Sequence, residues 1–210
     1  MGYLGLDETT IKDDNLFQRL FWPSDHGGEA DQLGKQGFWI CLGVAVVSLL
    51  VMLMQGHWFL ALLTFAFYAL GGIGVREHDQ PSAILVAVAY ILNGVASAFS
   101  GIPPGILQLF ATLLLLANIR GTWIAAKWAA HPDPDLMPQR FNTTFSDKLV
   151  DQMPARVWPK AKIPFFCIAV IYILLTVAGT VFIAVLGPAR LKAAQNPTPT
   201  SQTIEVSPSR

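Results

Sequence analysis

The stretch from Gln36 to Val75, QGFWICLGVAVVSLLVMLMQGHWFLALLTFAFYALGGIGV, holds 40 residues and not one Asp, Glu, Lys or Arg. As one continuous helix it would be about 60 Å long at 1.5 Å per residue. That is twice the roughly 30 Å of hydrocarbon in a bilayer, which about 20 apolar residues can cross. The stretch therefore reads as two crossings joined at Gln55-Gly56-His57. A charge at the bilayer centre costs at least roughly 2.5–3.5 kcal/mol. No other environment explains so long an exclusion of charge so simply.

The pattern repeats downstream. Gln80–Ile119 is a second uncharged run of 40 residues, broken at Ser100-Gly101-Ile102-Pro103-Pro104-Gly105, and Ile163–Ala189 is a third of 27. A proline of that break fits the first position of the next helix. Five spans follow, at about 37–54, 58–75, 82–99, 105–119 (with a continuation to 126 at headgroup level) and 163–186. The expected fold is all-α, a polytopic membrane helix bundle with five transmembrane helices. Period-2 alternation, the mark of membrane strands, is missing from these runs. The acidic leader Asp7, Glu8, Asp13 and Asp14 does not suit a signal peptide.

The whole chain agrees with this reading. Of 210 residues, 53% are hydrophobic and only 13% charged, about half the charged share of a soluble domain. Those figures exclude disordered and collagen-like chains. The net charge of zero argues against a nucleic-acid partner.

Two hairpins and a lone last crossing place the N-terminus, the Arg76–Asp79 turn and the Arg120–Lys162 loop on one side. That side carries eleven of the 14 Lys and Arg residues, against three (Arg190, Lys192, Arg210) on the other. The positive-inside bias makes it cytoplasmic, with the C-terminus opposite.

Outside the spans, residues 1–36 form an N-terminal segment in which Leu16, Phe17, Leu20 and Phe21 make one apolar helical stripe, with Trp22 suited to the interface. In the cytoplasmic loop 127–162, a short helix is expected after Ser146, ended by Pro154. Arg156, Trp158, Lys160 and Lys162 read as a basic-aromatic collar anchoring the last span at the headgroups. The Pro/Ser/Thr-rich tail within 187–210 is expected to be disordered.

Catalytic and cofactor motifs are absent, including Gly-rich phosphate loops, HExxH, GxSxG and CxxC. His131 with Asp133 and Asp135 specifies no metal. Glu77, His78 and Asp79 are the acid–base candidates for headgroup chemistry, although a charged turn between spans needs no such role. Tyr90, Asn93, Ser97 and Ser100 share one face of the third span. With Gln108 and Asn118 they make either hydrogen-bond glue between helices or a polar pathway. No ionisable Asp, Glu, Lys, Arg or His lies within a span, which weakens ion-coupled transport. Cys41 and Cys167 enter their spans at similar depth, so they could meet if the first and fifth spans are neighbours.

The stretch from Leu70-Gly71-Gly72-Ile73-Gly74-Val75-Arg76 through Asn118-Ile119-Arg120-Gly121-Thr122-Trp123 resembles bacterial multi-pass membrane proteins. The resemblance covers about a quarter of the chain and implies a bacterial inner-membrane location. It implies no activity and assigns no residue a role. The leading expectation is a non-catalytic accessory subunit, scaffold or partner-binding protein that meets the lipid bilayer and either a protein partner or its own copies. A transporter or channel for a small neutral solute, and a lipid enzyme at the cytoplasmic interface, are the alternatives.

Overall fold

A computed structural model describes residues 27–130 and 148–195 of the chain. Trp22, the apolar stripe before it, His131, Asp133, Asp135 and the tail beyond Gln195 lie outside the described residues. Five long helices form: α1 (Gly27–Met54), α2 (Trp58–Arg76), α3 (Gln80–Phe99), α4 (Ile106–Ala130) and α5 (Met153–Gln195). A π-helical turn, Lys148–Gln152, leads directly into α5. Each long helix contains a segment long and apolar enough to cross a membrane, and no strand occurs among the described residues. The chain is an all-α, multi-pass membrane bundle.

The turns show why the helices stop where they do. Gly56 and Gly101 take the left-handed conformation, with φ of +77° and +84°. In both turns the helix end closes by the same pair of bonds. His57 N–H donates to the Met52 carbonyl (2.9 Å) and Gly56 N–H to Leu53 (3.0 Å); Ile102 donates to Ser97 and Gly101 to Ala98, each at 3.0 Å. This closure satisfies carbonyls that a helix end otherwise leaves orphaned. At the third turn a histidine takes the glycine's place: His78 has φ +55°, and Asp79 N–H reaches the Gly74 carbonyl at 2.9 Å. Asp79 then caps α3, accepting from Ser82 N–H at 3.2 Å, with a proline in the first turn. Gly105, rather than a proline, precedes α4; its carbonyl accepts from Leu109 at 3.1 Å.

α2 is the hub. It packs against α1, α3 and α5, while α4 closes the bundle against α1 and α3, and α5 also meets α3. Lipid tails are as apolar as leucine, so close approach rather than hydrophobic burial must hold such helices together. The run Gly71-Gly72-Ile73-Gly74 supplies it. A Cβ at Gly71 would fall into Val86 of α3, and one at Gly74 into Ser82. At Gly72 it would stand 2.8 Å from Cys41 Cβ on α1. Outward-facing positions such as Val47, Leu107, Ile163 and Leu174 are exposed and apolar, as a lipid-facing surface requires.

Three expectations need correction. Pro154 does not end a helix but sits in the first turn of α5, where its missing N–H has no partner to lose. The last helix therefore starts ten residues before the uncharged run, at Met153 rather than Ile163. At its other end it continues through Gly187-Pro188 to Gln195, where disorder was expected from residue 187. Leu191-Lys192-Ala193-Ala194 favours helix strongly enough to extend it past the single bond that Pro188 removes.

Candidate functional site

Charges gather at one end of the bundle, where α1 begins, α2 ends and α5 begins. Arg76 closes the first uncharged run, and its side chain is fully buried there, at 0% exposure. A charge so placed must be paired and hydrogen-bonded to persist. Its Nε donates to Asp151 Oδ1 at 3.0 Å and to the Val150 carbonyl at 3.2 Å; Nη2 also binds Asp151. Nη1 meets Asp31 Oδ1 of α1 at 2.7 Å. Lys35, one helical turn after Asp31, lies 3.4 Å from Asp31 and 3.8 Å from Asp151. Two carboxylates and two cations thus tie α1, α2 and the π-turn together. A second tie joins Lys162 of α5 to Asp79 at 2.7 Å.

Deeper in the bundle the polar groups bond to one another. Asn93 Nδ2 donates to the Tyr172 hydroxyl (2.8 Å) and to the Tyr68 hydroxyl (3.2 Å), linking α3, α5 and α2. Aromatic rings surround the trio. Phe67 stacks on Tyr172 at 4.4 Å between centroids and on Phe165 at 5.7 Å, and Tyr90 meets Tyr68 edge-on at 6.3 Å.

The polar face read from the sequence divides. Ser97 and Ser100 return their hydroxyls to the Asn93 and Ala96 carbonyls of their own helix, at 3.0 and 2.9 Å. The Gln108 amide packs over Gly94, where a Cβ would be 2.6 Å from Nε2. Asn118 stands apart, buried beside Gly37 and Val75 near the charged end, with Nδ2 donating to the Leu114 carbonyl at 2.8 Å. Thr176 and Thr180 likewise bond back to their own helix.

Of the acid–base candidates, Asp79 is occupied as a cap and ion pair. Glu77 and His78 are half-buried, and the His78 ring lies against Gly34 of α1. Trp158 is not an interfacial anchor. It is buried between Gly74 and Phe165, because α5 already exists at that point and carries an inward stripe through Trp158, Ala161, Phe165, Ala169 and Tyr172. Arg156 and Lys160 are exposed, as an anchoring role requires. The two cysteines do not meet: Cys41 is buried against Gly72, and Cys167 faces outward.

Reading the sequence missed Asp31, Asp151 and Tyr68. Asp31 and Lys35 carry an i,i+4 signal that extends α1 ahead of the uncharged run, and Arg76 flush with a span's end demands an acidic partner. Tyr68 had no signal beyond its place in an aromatic run.

A shallow hollow of about 240 Å³ opens at the charged end, lined by Lys148, Gln152, Met153, Arg156 and Val157. Among the described residues no group of three His, Cys, Asp or Glu converges as metal ligands would. Compared with family models, curated proteins and solved structures, the chain finds no match.

Proposed function

We propose that this chain is a non-catalytic integral membrane protein, an accessory subunit, scaffold or partner-binding protein that acts through its helix faces. The observation carrying this reading is where the polar groups go. Asn93, Tyr68 and Tyr172 satisfy one another, the hydroxyls of Ser97, Ser100, Thr176 and Thr180 bond to their own helices, and Arg76 is enclosed by carboxylates. What the bundle presents outward is mostly apolar helix surface. A solute pathway would need Tyr90, Asn93, Ser97 and Ser100 beside an open cavity, and an interfacial enzyme would need Glu77, His78 and Asp79 around a pocket. Neither grouping lines the hollow at the charged end.

The same reading places the chain in a bacterial inner membrane with its N-terminus and the charged end in the cytoplasm. The excess of Lys and Arg on that side supports the orientation. The test is the mass of the particle purified in mild detergent, by light scattering and native mass spectrometry. A stoichiometric partner or homo-oligomer is expected; a monodisperse, partner-free monomer would overturn the proposal.

A further inference from the structure

From Lys148 to Lys162 the chain carries one acidic residue, Asp151, and four basic ones, Lys148, Arg156, Lys160 and Lys162. The fold turns that acid inward, where Arg76 and Lys35 use it, and it is 1% exposed. Lys162 is neutralised by Asp79. Lys148, Arg156 and Lys160 are left exposed, and among the described residues none of them forms an ion pair. The buried network therefore sorts the charge of this segment: its inner face is balanced and its outer face purely cationic.

That outer face is shaped. Lys148, Gln152 and Arg156 follow one another at intervals of four, and with Met153 and Val157 they line the hollow of about 240 Å³. The same contacts set its level along the bundle. Val150 and Asp151 bind Arg76, the residue that ends the uncharged run of α2, so the π-turn lies level with the end of that run, where a bilayer spanned by the run has its headgroups. Headgroups occupy a layer of roughly 5–8 Å there on each side. Two cations and an amide donor thus flank apolar side chains at headgroup level. We propose that Lys148, Gln152 and Arg156 bind the headgroup phosphate of an anionic glycerophospholipid, with Met153 and Val157 against its glycerol and upper acyl carbons. Charge-assisted bonds from lysine and arginine suit a phosphate, and a zwitterionic lipid gains less because its own cation competes.

The experiment is native mass spectrometry of the full chain released from micelles. These contain phosphatidylglycerol or phosphatidylcholine of identical acyl chains. The wild type should retain phosphatidylglycerol in preference to phosphatidylcholine. The double variant K148Q/R156Q should lose that preference by roughly 10–30-fold, as expected for two basic residues beside anionic lipid. Two further variants separate a lost site from a lost fold. K148R/R156K, which keeps both charges, should retain the lipid, and K192Q, at the opposite end of α5, should behave as wild type. Equal retention of the two lipids, an unaltered preference in K148Q/R156Q, or displacement of the lipid by millimolar inorganic phosphate would each overturn the assignment.

Discussion

Replacing Arg76 by methionine keeps much of the side chain's apolar bulk and removes its charge. Asp151, almost wholly buried, then has only Lys35, 3.8 Å away and one-third exposed. Asp31 keeps Lys35 at 3.4 Å. Removing one member of a buried pair costs about 3–5 kcal/mol, because the other charge is left uncompensated. Lys35 and nearby water hold the expected value for Arg76→Met to the lower part of that range, about 3 kcal/mol. Asp151→Leu is milder, since Arg76 still has Asp31 at 2.7 Å. A charged group that loses one partner costs about 2 kcal/mol. The double variant R76M/D151L removes both charges, and apolar replacement of a whole buried pair is often neutral. It should lie within about 1 kcal/mol of wild type, so the coupling between the two sites should reach roughly 4 kcal/mol. Reversible unfolding in mixed micelles, titrated with dodecyl sulfate and followed by tryptophan fluorescence, measures all three. Single costs that simply add in the double variant, or an Arg76→Met cost below about 1 kcal/mol, would refute the network as an energetic unit.

Three other expectations can be checked on the same preparation. Gly72→Val drives a branched side chain into Cys41 of α1 and should destabilise the bundle by about 1–3 kcal/mol, while Gly43→Ala, with open space around it, should cost under about 1 kcal/mol in the same unfolding titration. Asn93→Leu breaks the links to Tyr68 and Tyr172; at about 0.6 kcal/mol per interhelical bond in a membrane, the unfolding midpoint should report a loss near 1 kcal/mol. Oxidant-driven crosslinking should give no Cys41–Cys167 disulfide within one chain, seen as unchanged mobility on a non-reducing gel, because one thiol is enclosed against α2 and the other faces outward.

The architecture is legible in the sequence because the bilayer enforces it. Uncharged runs of 40, 40 and 27 residues give the five helices, and Gly56 and Gly101 mark the hairpin turns that the structure closes on them. The helix ends outside the hydrocarbon are less legible, since the membrane no longer dictates composition there. Asp31 and Lys35 belong to α1, and Trp158 to α5, although charge patterning alone assigns them to flanking segments. Tertiary pairing is hidden further still. Arg76 stands out as a charge at a turn, but its partners are 45 and 75 positions away in sequence. Only the packing of α1, α2 and the π-turn brings them together. Asn93 is visible as a polar residue in a span, yet its bonds to two tyrosines depend on which faces of α2 and α5 turn inward.

The threading of the chain is the claim on which the rest depends, and compartment-specific reporters fused in turn at Met1, at the Arg76–Asp79 turn and at Arg210 measure it directly. The account predicts that the first two report the same compartment and the third the opposite one. Reporters at Met1 and Arg210 active in the same compartment would contradict it.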